Sequence, residues 1–348
     1  MFLESFEALA LVYDCFWDHK GEAVILVGPP AINLAAAWDN ARFRVDGPKL
    51  QASHFPSRST QVITLSGVPA RASEITLEFG DNRFTLPIRE NEADDLAGLN
   101  VLVTMNKDND LAWIEAWARW HVVMHGANAC LFFDNGSTRY GTAEIADRLA
   151  AAGITHPRVL SWPYKYGRKD PAILDRPHYP HFLQVSSLNV ALRRFGMRAN
   201  AILNCDIDEL VSAKGGSVFD AARSSPQGIV TLKGNWVEPV GENLTYGIPH
   251  LAQRHAHRLP LLARCANKWA LDPSRDWVDD LTAKPSVHRM YDVPKAIWAD
   301  APIRHFWHFK AINTGWKEHR NDSRPNAWLV RRLPELDAEA QIYAGAKS

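Results

Sequence analysis

From residue 99 onward, short apolar runs alternate with stretches of helical period, and this alternation constrains the fold more than any other feature. The runs are 99–105 (LNVLVTM), 129–133 (ACLFF), 158–162 (RVLSW) and 201–205 (AILNC). Between the first two, Leu111, Ile114, Trp117, His121 and Val122 recur at spacings of three and four, which predicts one buried helix face. Residues 142–152 predict a short helix stopped by Gly153, and Phe182, Val185, Leu188, Leu192 and Phe195 predict another stopped by Gly196. Strand, helix, strand at this spacing means βαβ units and a mostly parallel sheet flanked by helices, an α/β fold. Such sheets bind ligands at the carboxyl ends of their strands. That rule selects two polar clusters, residues 134–137 and 206–209.

The first 95 residues read differently. Short β-type runs at 22–27, 61–65, 74–79 and 83–88 alternate with turns, and Gly80-Asp81-Asn82 suits a hairpin. No helix of convincing amphipathic period stands out there. We read residues 1–95 as a small antiparallel β domain, with the acidic stretch 90–95 as its linker, and residues 96–348 as the α/β domain. A chain of 348 residues has room for about two domains. Beyond residue 228 the pattern turns irregular and rich in Trp and His.

Lys and Arg number 39 and Asp and Glu number 39, so the formal net charge is zero. A general nucleic-acid binder or a binder of anionic membranes needs a basic surplus, and both classes are disfavoured. No run is long and apolar enough for a membrane span. Glu4 and Glu7 lie where an export signal would be basic. Cys15, Cys130, Cys205 and Cys265 are isolated, without zinc-ligand spacing. These features lead to the expectation of a cytoplasmic protein in a reducing compartment, at most peripheral to a membrane.

The strongest chemical signal is Asp206-Ile207-Asp208 after an uncharged strand. At a period of two, both carboxylates leave the strand on one face. Like charges so close repel unless a cation lies between them, and oxygen ligands suit Mg²⁺ or Mn²⁺. The alternative is that both cap the next helix or pair with arginine. Asp134-Asn135-Gly136-Ser137 ends the second strand in a tight turn, where Asp134 can accept hydrogen bonds from a base or ribose, or simply cap the turn.

An ordered set of residues resembles the family 2-like glycosyltransferases of GT-A fold, relatives of the family 92-like transferases. It runs through Asn109-Asp110, Glu115, Trp117, His121, Gly126 and Phe133 to Ser137. It continues through Gln184, Asn189, Asp206 to Leu210, Trp236 to Gly241, Lys268-Trp269, His288-Arg289, His305-Phe306 and Lys317. The resemblance covers about residues 100 to 320 and leaves out the N-terminal β domain. Asp110, Arg139, Leu210 and Phe306 depart from the family pattern. The resemblance implies an enzyme, an inverting hexosyltransferase-like catalyst in which Asp206 and Asp208 hold Mn²⁺ or Mg²⁺ against the diphosphate of a nucleotide-sugar, UDP-linked by preference. His288 is the first choice for a third metal ligand and His305 the second. Asn109, Asp110 and Asp134 would line the donor pocket, with helix capping as the alternative for the first two. The acceptor would be a hydroxyl of a polysaccharide or glycolipid.

An inverting transferase needs a carboxylate base. Glu238 is the choice, with Glu209, Asp279 and Asp280 as rivals. Lys165, Arg168 and Lys169 form a basic loop, and His250, His255 and His257 a histidine group among arginines. Trp236, Trp269, Trp307 and Trp316 can stack on sugar rings or pack in the core. Two other classes stay open: a metal-dependent nucleotidyltransferase, and a non-catalytic carbohydrate-binding or scaffold protein on the same fold.

Overall fold

The computed structural model describes residues 7–56, 59–167, 181–240, 250–314 and 326–346. The chain forms two compact units. The first takes residues 1–97, 163–198 and 277–292, and the second takes 98–162, 199–276 and 293–348. This differs from a single cut at 95/96 because the chain returns to the first unit twice after leaving it.

The first unit is built on antiparallel β structure. Strands β1 (Asp14–Trp17), β2 (Ala23–Gly28), β4 (Gln51–Pro56) and β5 (Gln61–Ser66) form one sheet in the order β1-β2-β5-β4. Strands β3 (Arg42–Arg44), β6 (Glu74–Phe79) and β7 (Asn82–Pro87) form a second. Alternation in β6 buries Ile75 and Leu77, which join Val24, Leu26, Trp38, Phe43, Ile63 and Leu65 in one core. A short helix, Ala35–Asp39, also lies here. The helix Phe182–Val190 belongs to this unit, with Ser186 Oγ 2.9 Å from Thr60 Oγ1. It runs on as a π-helical turn over 191–196, whose Arg194 reaches Asp14 at 3.0 Å and also pairs with Glu92.

The second unit carries an eight-stranded sheet. Its strands are β8 (Asn100–Asn106), β9 (Ala129–Asp134), β10 (His156–Ser161), β11 (Ala201–Asn204) and β12 (Glu209–Val211). To these add β13 (Ile229–Val237), β15 (Arg264–Leu271) and β18 (Ile303–Phe309). The order is β10-β9-β8-β11-β15-β13-β18-β12. The four strands foreseen from the alternation are parallel neighbours. Beyond β11 the sheet is mixed, because β15 is antiparallel to both its neighbours and β12 is antiparallel to β18. Smaller pairs complete the fold: β14 (His255–His257) with β19 (Val330–Arg332), and, in the first unit, β16 (Lys284–Pro285) with β17 (Met290–Tyr291).

The helix Leu111–His125 follows the expected pattern. Asp110 caps it by accepting from Ala112 N at 2.8 Å, and Gly126 ends it at φ 71°. Its buried face includes Ile114, Trp117 and His121, and extends to Trp113, Trp120 and His125. A bulge in β13 falls at Gly234, where an added Cβ would come within 2.1 Å of Cys265 Sγ and 2.4 Å of the Phe306 ring. Only glycine lets the three strands close up there, and this closure sets the register that brings Trp236 opposite His308.

Candidate active site

The turn between β11 and β12 carries the acidic cluster. The Glu209 backbone N–H donates to the Asp206 carbonyl at 3.0 Å, while the Asp206 N–H donates to Glu209 Oε2 at 2.9 Å. This reciprocal pair locks the turn and aims the acidic side chains. His250 braces it from behind, its Nε2 donating to the Ile207 carbonyl at 2.6 Å. Burial pushes the His250 pKa down to about 4, so the ring stays neutral.

Three carboxylates meet two basic side chains from neighbouring strands. Lys268 of β15 places Nζ 2.6 Å from Asp206 Oδ2 and 3.4 Å from Glu209 Oε2. Lys268 and Glu209 are both fully buried. Burial opposes the lysine's charge, but Asp206 and Glu209 outweigh it and hold its pKa above the ordinary value. Burial pushes the Glu209 carboxyl well up, Lys268 pulls it back, and Asp206 and Asp208 raise it further. His308 of β18 sits opposite Glu209 in register, with Nε2 2.9 Å from Asp208 Oδ2 and Nδ1 3.5 Å from Glu209 Oε1.

One ligand atom each from Asp208, Glu209 and His308 lie within 4.8 Å of one another. Both His308 nitrogens face carboxylates, and Nδ1 is buried without a hydrogen-bond partner among the described residues. Lys268, shared between Asp206 and Glu209, brings one positive charge to three carboxylates. A divalent cation on this O,O,N set answers both facts, and the donors suit Mn²⁺ or Mg²⁺.

Next to this cluster, Trp236 of β13 packs its ring 4.0 Å from the His308 ring, centroid to centroid. Lys310 approaches the Trp236 ring at 5.4 Å and pairs with Glu238 at 2.6 Å. Glu238 is buried and its N–H donates to the His255 carbonyl at 2.7 Å. Trp236, Lys310 and Glu238 thus form a wall running on from His308.

The ends of β8 and β9 share the same sheet edge. Asn106 pairs with Asp134 in register and donates from Nδ2 to Asp134 Oδ1 at 2.8 Å. Ser137 donates its N–H to Oδ2 at 2.9 Å and its hydroxyl to Oδ1 at 2.5 Å. Gly136, at φ 72°, makes the tight turn that permits this. Asn109 donates to Asn106 Oδ1 at 2.8 Å, and its carbonyl accepts from the Tyr140 hydroxyl at 2.5 Å. Asp110 is the helix cap described above.

Of the residues singled out in the sequence, Asp206 and Asp208 come together, and Glu238 lies along the adjoining wall. His288 falls in the first unit, between β16 and β17, and His305 stands on β18 three residues from His308, so the pleat turns it to the opposite face. The histidine at Asp208 is His308. Glu209, foreseen in the cluster 206–209 as a rival base, is one of its carboxylates, whereas Lys268, His308 and Lys310 were not assigned to the cluster beforehand. His308 shares a face of β18 with buried Phe306, a placement that the run IRHFWHF does not announce. Residues 168, 169, 241, 316 and 317 lie outside the described residues.

No family model matches the chain, and no curated protein matches it. Among solved structures the chain is similar to S. aureus TarS 1–349, with a TM-score of 0.34 and 12% identity over 61% of this chain and 60% of that one. It thus spans about three fifths of that chain. It is also similar to the galactosyltransferase LgtC in complex with donor and acceptor sugar analogs, with a TM-score of 0.30 and 10% identity over 71% of this chain and 96% of that one. A third is the WbbM bifunctional glycosyltransferase, with a TM-score of 0.29 and 12% identity over 57% of this chain and 35% of that one. Two of the three are glycosyltransferases by name; likeness at this level carries no residue's role across.

Proposed function

We propose that the second unit is a metal-dependent glycosyltransferase of GT-A type, of the family 2-like and family 92-like kind. In this reading it moves a hexosyl group, with inversion, from a UDP-sugar to a hydroxyl of a saccharide or glycolipid. The observation that carries the reading is the Asp208–Glu209–His308 set at the carboxyl edge of the parallel strands, beside an Asp206 already held by Lys268.

Asp208, Glu209 and His308 would hold Mn²⁺ or Mg²⁺. When bound, such an ion neutralises charge on a departing diphosphate. Lys268 fixes Asp206 and Glu209, so the carboxylates need not reorganise as charge develops. Asn109 and Asp134, on the same edge, would face the nucleoside. Glu238, oriented by Lys310, would take the proton of the acceptor hydroxyl. The Trp236 ring offers an apolar face to a sugar.

The test is titration calorimetry of UDP and GDP into the whole chain with Mn²⁺, then with EDTA. Expected is binding of UDP that needs the metal and falls at least about tenfold in Asp208→Ala and in His308→Ala, as loss of a metal ligand should produce. Absence of nucleotide binding with either Mn²⁺ or Mg²⁺ would sink the reading.

A further inference from the structure

Away from the acidic cluster, β14 and β19 form a two-stranded antiparallel ribbon, His257 facing Val330. The pairing runs one step further, the Arg258 N–H donating to the Leu329 carbonyl at 2.8 Å. Leu259 and Trp328 are the next residues out on the two strands. A single helical turn, Pro260–Ala263, follows. Here Leu259 is 57% exposed, Leu261 83%, Leu262 54% and Trp328 72%. Among the described residues, so much exposure over neighbouring positions marks an apolar tip.

The tip is also basic. Residues 250–264 and 326–333 contain Arg254, Arg258, Arg264, Arg331 and Arg332 and no Asp or Glu. Arg254 and Arg332 share Asp337 as counter-charge. Arg258, Arg264 and Arg331 are exposed and have no carboxylate partner among the described residues. The zero net charge of the chain therefore conceals a local surplus, and the total is a poor guide to this surface.

We propose that this tip is a docking surface for a lipid bilayer with anionic headgroups. Leucine and tryptophan enter the boundary between headgroups and acyl chains, and arginines at its rim meet the anionic phosphates. A protein partner generally needs a broad complementary face of about 800 Å² on each side. A bilayer accepts a narrow apolar tip, and the charge complementarity is the one a bilayer supplies. No helix among the described residues is long and apolar enough to cross a membrane. The ribbon joins the wall of the candidate site directly, because the His255 carbonyl accepts from Glu238 N. Docking would hold that end of the site near the lipid surface. The inference rests on the ribbon alone and stands whether or not the unit transfers a sugar.

The test is flotation of the full chain with vesicles of phosphatidylcholine, with and without phosphatidylglycerol, at low and high salt. Expected is partition onto the anionic vesicles that weakens with salt. Leu261→Ser with Trp328→Ser should lower the partition coefficient about tenfold or more, since two buried apolar anchors are lost. Arg258→Glu with Arg331→Glu should abolish the preference for anionic lipid. All four side chains are exposed, and unchanged thermal midpoints would show the variants folded. Equal partition of parent and variants would overturn the proposal, as would absence of partition onto either vesicle. A parent dimer that Leu261→Ser dissociates, without vesicle binding, would make the tip a contact between copies and overturn it too.

Discussion

A lysine taken out of water is tolerable where carboxylates surround it, and Lys268 meets that condition with Asp206 and Glu209. Removing it leaves two carboxylates facing each other, one of them fully buried. Lys268→Met should therefore destabilise the chain by about 3–5 kcal/mol. Adding Glu209→Gln should recover part of the loss, because it removes one of the stranded charges. Denaturant midpoints of the single and double variants check this, and a Lys268→Met variant as stable as its parent would refute it. At this scale the sequence was half legible. Asp206 and Asp208 could be read because an uncharged strand delivers them. Lys268 and His308 could not, since their places depend on which strands become neighbours. Within residues 303–309 His308 looks no different from His305, three residues before it, until the register with Glu209 is known.

The elements that hold the site in place are joined by buried neutral histidines. His121 donates from Nδ1 to the Trp117 carbonyl at 2.9 Å, and its Nε2 accepts from Val211 N at 3.4 Å. His125 donates from Nε2 to the Val211 carbonyl at 3.0 Å, and its Nδ1 accepts from Val218 N at 3.2 Å. The helix Leu111–His125 thus grips β12, the strand that begins with Glu209. Burial, together with neighbouring His125, lowers the His121 pKa to about 3, and burial lowers that of His125 to about 4. The unfolded chain takes up these protons near pH 6.5 and the folded chain refuses them. Stability from this source is therefore complete above pH 6.5 and falls as pH drops toward 4, by up to about 1.4 kcal/mol per pH unit for each histidine. Denaturant midpoints at pH 7 and pH 5 should show the fall, and His125→Gln should make it shallower. A midpoint indifferent to pH over that range would contradict the account. The helix itself was legible because its apolar period is undisturbed. Strands β13, β15 and β18 were not, since Lys233, Asn235, Lys268 and His308 interrupt the apolar runs that announce a buried strand.

For the whole molecule, the consequence is that sequence order and spatial grouping part company. The helix Phe182–Val190 continues the strand–helix rhythm, so a reading by periodicity assigns it to the sheet between β10 and β11. Yet it belongs with the N-terminal strands. Its residues are buried all round, polar Gln184, Ser186, Ser187 and Asn189 included. Such a helix has no solvent face to reveal which partner it packs on. Arg193 ties it to the third segment, donating to the carbonyls of Val278 at 2.9 Å and Ala283 at 2.6 Å. Residues 96–348 expressed alone would therefore carry two segments of a unit whose N-terminal strands, β1 to β7, are missing. Phe182, Leu183, Val185 and Leu188, all buried in the full chain, would meet water. At roughly 1.5–3 kcal/mol for each large apolar side chain left exposed, the fragment loses stability comparable to that of a whole domain. We expect it to bind a hydrophobic dye and to be cut by protease within 163–198 and 277–292, while the full chain resists. A fragment as protease-resistant as the full chain would show that those segments fold on the second unit without residues 1–95.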